Sequence, residues 1–527
     1  MSNIKILDCT LRDGGYVNDF DFGRDNIAKI LLQLQNAGID IVECGFLEDG
    51  PYDPNASVFN TVEQIAALLP EKRSGDTMFV AMACYGEYSL SQLSPCDGSS
   101  VTGIRVTFHY NEVNEALEYC RKVKQLGYKV FIQPVGTTSY SDAQLLQLIL
   151  EVNKIKPYAF YLVDTLGLMV QRDIAGFFYL IDHNLDDDIN FGFHSHNNLQ
   201  LSFSNCQYIA SLNTKRTISL DASVYGMGRG AGNLNTELIA NYLNIYNGAN
   251  YRIEPILQIV DEVISKIKAK YDWGYNVSFY LAAINGCHPN YAAYLSNKHT
   301  LTIREIATIL RSIDPHCRAL FDKKLVEKKY IEFQSIEVDD SIAFRSLSEA
   351  LSQRDLLLLG PGASIHSHKE LIHNYIHLHN PIVISVGFIP DFCSADYVFI
   401  SNIRRYQTSL ASHDINATII NTSNIAVNDK PHLTFNYSSL LDENPIIADN
   451  SLIMMLNILT KADCAHKIAL AGFDGYRDNA RNYYSDALEL ATDHSLTAEI
   501  NNAIRIRLKA FLSQLDIQGI TPSIYFD

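Results

Sequence analysis

The sequence predicts an α/β chain: an N-terminal (β/α)8 TIM barrel over 1–249, a helical appendage near the barrel mouth over 250–345, and a C-terminal Rossmann-like α/β domain over 346–527. Three observations predict it. Short β-rich apolar runs alternate with helix-period segments up to residue 245, that rhythm stops across 250–345, and an α/β pattern resumes near residue 350.

The candidate strands of the first part are 4–7, 39–46, 77–83, 103–108, 129–133, 159–163, 190–194 and 217–220, with helix-period segments such as 26–37 and 112–126 between them. Eight βα units in this length match a closed barrel better than an open doubly wound sheet. Asp13, Glu43, Asp164 and His194 fall in, at or just past the carboxyl halves of these runs, and in a parallel barrel those ends converge on one face. In the appendage, 252–271 and 303–312 read as helices around an aromatic segment, 273–291, that carries the single Trp of the chain. The last part offers strands at 355–359, 381–386, 397–400, 417–420 and 468–471 and helices at 449–459 and 497–515.

A formal net charge of −17 argues against a nucleic-acid partner and against a polybasic membrane-binding face. The ten cysteines are scattered without a C-x-x-C pair, as in a reducing compartment. The chain starts strand-like with no signal-peptide pattern, and no apolar run approaches membrane length, so the cytoplasm is the expected location.

Three motifs carry chemistry. In Asp8-Cys9-Thr10-Leu11-Arg12-Asp13-Gly14-Gly15 a strand runs into a glycine turn just after an Arg-Asp pair. The Asp is a hard oxygen ligand for a divalent cation, the Arg a fixed charge for a carboxylate or enolate, and the glycines let a ligand approach the backbone. An ion pair closing an ordinary loop is the competing reading. In Phe193-His194-Ser195-His196-Asn197-Asn198 the strand period of two points both imidazoles the same way. Two imidazoles and a carboxylate make a first shell for a catalytic metal with open positions, against the alternative of two hydrogen-bonded core histidines. Tyr225 to Glu237, glycine-rich before a helix, is suited to an anion or is a connector, and Asn233 there offers a neutral oxygen ligand.

Together these motifs resemble the DRE-TIM metallolyase (HMG-CoA lyase-like) superfamily over about residues 4–245, with the 4-hydroxy-2-oxovalerate aldolase branch most similar. Ile104-Arg105-Val106-Thr107-Phe108-His109 resembles that branch's R-V-x-x-H segment, and Val163-Asp164-Thr165-Leu166-Gly167 its D-[ST]-x-G segment. The resemblance implies a divalent cation, Mn²⁺ preferred with Mg²⁺ or Zn²⁺ as alternatives, on Asp13, His194 and His196, with Asn233 approaching it. It implies enolate stabilisation by Arg12, an acidic role for Glu43, and substrate contacts from Gly14, Gly15, Arg105, Asp164 and Thr165. It also implies a small 2-oxo acid and aldehyde as substrates, and self-association or an aldehyde dehydrogenase as partner. The aldolases place a His shortly after R-D-G as base. This chain has Tyr16 there, so Tyr16 reads as an acid or hydrogen-bond donor, and His109 and His288 are the candidate bases.

The alternatives are an acyl-CoA Claisen-type synthase or lyase on the same barrel, and a catalytically silent barrel. In the latter the C-terminal domain would work on a nucleotide or nucleotide sugar in surface-polysaccharide synthesis. That domain's turn Leu359-Gly360-Pro361-Gly362-Ala363-Ser364 suits a phosphate at a helix start, so Gly360, Gly362 and Ser364 are candidate nucleotide contacts. The domain is faintly similar to sialyltransferase-like and pterin-pyrophosphokinase-like domains.

Overall fold

The computed structural model describes residues 4–72, 77–412, 416–427, 431–463, 465–477, 482–485, 488 and 496–525. The chain forms two compact units, Met1–Asn290 with Pro315–Phe321, and Tyr291–Asp314 with Asp322–Asp527. The helical stretch 250–345, set apart in the sequence, is thus divided between them.

In the first unit, eight parallel strands follow the eight apolar runs: Ile4–Asp8, Ile41–Leu47, Met78–Cys84, Gly103–Phe108, Lys129–Pro134, Ala159–Asp164, Asn190–Ser195 and Ile218–Ala222. The first strand pairs with the last (Ile4 beside Ile218) and with the second (Leu7 beside Ile41), so the barrel closes. A two-residue strand, Val58–Phe59, adds to the end of the second.

The strand period of two sorts the side chains. Ile6, Val42, Ile104, Val106, Phe160, Leu162, Phe191 and Phe193 face the helices. Leu7, Ile41, Val80, Phe131, Ala159 and Tyr161 fill the barrel interior. Two residues further along the inward-facing rows, the interior turns charged. Glu43 follows Ile41, Asp221 follows Ser219, and His194 follows Gly192, all buried. Gly192 is there for space, because a Cβ at this position would run into the Tyr161 ring. The face of that ring carries the Arg105 guanidinium at 5.0 Å.

After the barrel the chain forms a helix through Ile253–Ile259, Val260–Ile264 and Ser265–Lys268. It lies along the first barrel helix, Arg24–Ala37, where Lys29 pairs with Glu262 at 2.6 Å and Gln33 meets Gln258 at 3.1 Å. That places it on the outer wall. The following aromatic segment reaches the loops past the last strand, where the Trp273 indole N–H donates to the Tyr225 carbonyl at 3.3 Å.

The second unit holds a seven-stranded parallel sheet in the order His432–Phe435, Thr418–Thr422, Tyr397–Ile400, Ile382–Val386, Arg354–Leu359, Ala465–Ala471, Ile517–Gly519. The first and last of these were not expected from the sequence. They are short edge strands, too brief to show a period. From Arg354–Leu359 the chain winds to one side for four strands and then returns to the other, so the direction of winding reverses between Arg354–Leu359 and Ala465–Ala471.

Gly192→Ala is expected to destabilise the barrel by about 1–3 kcal/mol through overpacking against Tyr161. The midpoint of urea unfolding measures it, and an unchanged midpoint would mean the ring has room to move.

Candidate active site

The first strand ends in a tight turn. The N–H groups of Arg12, Asp13 and Gly14 all donate to the Cys9 carbonyl, at 3.1, 2.8 and 3.4 Å. This turn sets Asp13 inward, 2% exposed. The seventh strand supplies His194, and His196 follows one period on. The backbone at His196 is fixed by a bridge to Asn233 and by its N–H donating to the Asp164 carbonyl at 3.3 Å. One ligand atom from each of Asp13, His194 and His196 lies within 4.8 Å of the others. The three residues that the sequence put on two distant strands therefore form one buried cluster.

A chain of ion pairs anchors the cluster. Arg12 Nη1 donates to Asp13 Oδ1 at 2.7 Å, and Arg12 Nε donates to Glu43 Oε2 at 2.9 Å. Arg105 Nη1 donates to the same Glu43 oxygen at 2.7 Å, and Arg105 Nη2 pairs with Asp221 Oδ2. Asp221 Oδ2 in turn accepts from His194 Nδ1 at 2.9 Å. That bond places the His194 proton on Nδ1 and leaves Nε2 as a lone-pair donor, the arrangement by which a carboxylate orients a ligating imidazole. Burial alone would raise the Asp13 and Asp221 carboxyls. Arg12 and Arg229 hold Asp13 well below the carboxylate range, and Arg105 with the His194 hydrogen bond holds Asp221 down. Burial pushes His196 down to about 3, so its imidazole is neutral. An ionised Asp13 and a neutral His196 are the protonation states a cation requires.

The cluster fits a divalent cation on a second count. His196 Nδ1, Asn233 Oδ1 and Arg12 Nη2 are buried without a hydrogen-bond partner. Buried polar atoms are rarely left so unless a ligand completes them. Asn233 also donates its Nδ2 to Asp13 Oδ2 at 2.5 Å and to the Met227 carbonyl at 3.2 Å, which ties the glycine-rich loop to the ligand set. Gly228 allows this approach, since a Cβ there would strike the Asn233 amide.

At the mouth, the Arg229 guanidinium lies 3.9 Å from the centre of the Tyr16 ring, and its Nη1 is 3.2 Å from His288 Nε2. His288 is 7% exposed, and burial pushes it down to about 4. Its Nδ1 accepts from the Asn290 N–H at 3.2 Å. A neutral imidazole has a single lone-pair nitrogen, so His288 accepts from only one of these two N–H donors at a time, and in either tautomer that lone pair faces a protein donor. Tyr16 keeps 40% of its surface exposed, yet desolvation by the surrounding protein raises its phenol above the ordinary value. It packs edge-on against Phe20 and Phe46, with ring centres 5.1 and 6.0 Å apart.

The remaining expected residues are placed as follows. Gly14 and Gly15 are packing positions, against Met227 and Phe20, and the Gly14 N–H is spent on Cys9 rather than free for a substrate carboxylate. Arg105 is fully buried with both fork ends on carboxylates, so it ties Glu43 to Asp221. Asp164 accepts the N–H groups of Leu168 and Met169 at 2.9 and 3.0 Å and shapes its own loop, while burial raises its carboxyl to about 6. Thr165 Oγ1 accepts from the Gly136 N–H at 2.9 Å. His109 ends the fourth strand, its N–H donating to Glu112 at 2.9 Å, and belongs to none of the site's ion pairs among the described residues. In the second unit, Asp474 Oδ2 accepts the Ser364 N–H at 2.6 Å and Oδ1 takes its hydroxyl, so this turn already holds an anion of its own. Gly360 and Gly362 are narrow because a Cβ on either would meet the Gly472 carbonyl.

Two functional residues were missed. Asp221 sits in the carboxyl half of Ile218–Ala222, the kind of position that singled out Glu43 in its strand. Arg229 lies within the glycine-rich motif, where no period points a side chain anywhere.

Residues 3–261 match the HMGL-like family model. A 4-hydroxy-2-oxovalerate aldolase from Geobacillus genomosp. 3 is 25% identical over 268 residues, 48% of this chain and 78% of the relative. The enzyme of the same description from Roseiflexus castenholzii is 24% identical over 270 residues, 49% of this chain and 79% of the relative. Among solved structures, the N-terminal domain of a candidate aldolase from Bacteroides vulgatus superposes with a TM-score of 0.51 at 25% identity, covering 59% of this chain and all of that domain. No helix among the described residues is long and apolar enough to cross a membrane. Residues 3–261, which form the closed parallel barrel and carry its Asp-His-His cluster, are thus similar to the HMGL-like family.

Proposed function

We propose that the barrel is a divalent-metal-dependent aldolase that cleaves or forms the carbon–carbon bond between a pyruvate-type 2-oxo acid enolate and an aldehyde. The 4-hydroxy-2-oxo acids are the substrate class, and Mn²⁺ is the favoured metal for a mixed imidazole and carboxylate shell. The observation that carries this reading is the convergence of Asp13, His194 and His196 beside an unpartnered Arg12 Nη2. The aldolase relatives support the choice of substrate class.

A divalent cation held here supplies Lewis acidity to the ketone and carboxylate oxygens of a 2-oxo acid. The chain does the rest. Two of the three Arg12 nitrogens are pinned to Asp13 and Glu43, so the third is held rigidly for the oxygen on which enolate charge develops. Arg229, stacked on Tyr16 and steadied by His288, offers a second cation at the mouth. Tyr16 keeps its proton at neutral pH. In the direction of bond formation it donates a hydrogen bond to the aldehyde oxygen as alkoxide charge develops there, and the alkoxide then takes a proton from water. In cleavage the aldol hydroxyl returns that proton to water. Asp221 keeps His194 in the ligating tautomer.

Three outcomes are expected. Asp13→Asn loses the bound metal in elemental analysis and, with it, exchange of pyruvate methyl protons in D₂O. Retention of both would end the metal reading. Asp221→Asn, which keeps an acceptor but removes its charge, weakens metal affinity by about 10- to 100-fold in a competitive chelator titration. Tyr16→Phe lowers the rate of aldol cleavage by about 100-fold while leaving metal content and pyruvate exchange intact. A fall in exchange equal to the fall in cleavage would instead place Tyr16 in enolate formation.

A further inference from the structure

We infer that the second unit carries a binding site of its own for a nucleoside phosphate, in the cavity at the carboxyl ends of Arg354–Leu359 and Ala465–Ala471. The topology selects the place. These two strands flank the point where the winding of the sheet reverses, and the loops leaving them part there. The cavity has a volume of about 120 Å³, far above the roughly 10–15 Å³ that admits one water.

Its walls have the chemistry of an anion site beside a flat ring. Arg405 lines the cavity and is 8% exposed. Among the described residues no carboxylate pairs with it, and its guanidinium rests 4.9 Å from the centre of the Tyr483 ring. A buried guanidinium without a counter-charge is costly, and an anion brought by a ligand removes that cost. The start of the twelve-residue helix Ser451–Ala462 opens on the same cavity through Asn450 and Ser451. The neutral Asn450 side chain caps the Leu452 and Ile453 N–H groups, so the helix contributes the positive end of its dipole rather than free donors. Tyr476, Tyr483 and Tyr525 supply ring faces and edges on which a planar base can pack. Asp474, at the same cavity, is an acceptor for sugar hydroxyls.

Asp474 also settles which side of the cavity takes the phosphate. Its carboxylate already occupies the Ser364 N–H and hydroxyl, so the glycine-rich turn after the first strand repels a second anion. Arg405 and the Ser451 helix start are the cationic side.

The test is isothermal titration calorimetry on the full chain with the 5′-monophosphates of adenosine, guanosine, cytidine and uridine, and with inorganic phosphate. At least one nucleotide is expected to saturate and to bind more tightly than inorganic phosphate. Arg405→Met is expected to weaken it by about tenfold or more, the cost of an unmade charge-assisted hydrogen bond. Hydrogen exchange of the wild-type protein, which does not depend on any variant folding, should show nucleotide-dependent protection at 450–456 and 471–477. The proposal is overturned if no nucleotide binds at millimolar concentration, if inorganic phosphate binds as tightly, if folded Arg405→Met binds as wild type, or if protection falls elsewhere.

Discussion

The active end of the barrel depends on Arg105, a guanidinium with no solvent exposure held between Glu43 and Asp221. Through Glu43 it fixes Arg12 and so Asp13, and through Asp221 it fixes His194. One cation therefore sets the orientation of two residues of the proposed metal site that come from opposite ends of the barrel sequence. The network of Asp13, Glu43, Asp221, Arg12 and Arg105 holds three buried carboxylates against two guanidinium groups, with Arg229 the next cation toward the mouth. Such an imbalance is costly in a protein core. A divalent cation at the proposed site would add positive charge to this cluster, so the charge balance and the geometry of Asp13, His194 and His196 ask for the same thing.

This network also shows why only part of the site could be read along the chain. Asp13 stands next to Arg12, and His194 and His196 share a strand face, so their grouping is local and the period of two reveals it. The eight barrel strands were legible for the same reason, since each is buried on both faces and reads as an apolar run. Arg105 was visible as a residue but not as a role. Its partners lie 62 and 116 positions away, and only barrel closure brings them to it. Asp221 was legible in principle, because Ile-Ser-Leu-Asp-Ala has the same inward step as the strand of Glu43, yet a single acid in a strand attracts no notice without a partner. Arg229 and His288 depend on loops, where no period constrains direction.

The two glycine-rich turns teach a common lesson about motifs. Gly14 and Gly15 after the first barrel strand, and Gly360 and Gly362 after the first strand of the second sheet, both suggest a backbone cradle for an anion. In each case the neighbours explain the glycines by close packing, against Met227 and Phe20 in one and the Gly472 carbonyl in the other. In each case an amide thought free already has an acceptor, Cys9 or Asp474. Glycine marks a place where chains pass closely. Whether a ligand or the protein itself comes close is decided by residues far away in sequence, such as Asp474, which is 110 positions from Ser364.

Arg12 is where the structural and chemical demands on the site meet. A lysine in its place would supply the same charge but only one nitrogen, free to turn. The guanidinium has three nitrogens in a plane, and fixing two of them determines where the third points. Nε on Glu43 and Nη1 on Asp13 are those two, and Nη2, buried and without a partner, is the third. The orientation is set before any substrate arrives, so charge developing on a substrate oxygen meets a donor that need not reorganise. The carboxylates that hold Arg12 are in turn held by Arg105 and Asn233, so the precision of this one N–H derives from contacts spread around the whole barrel.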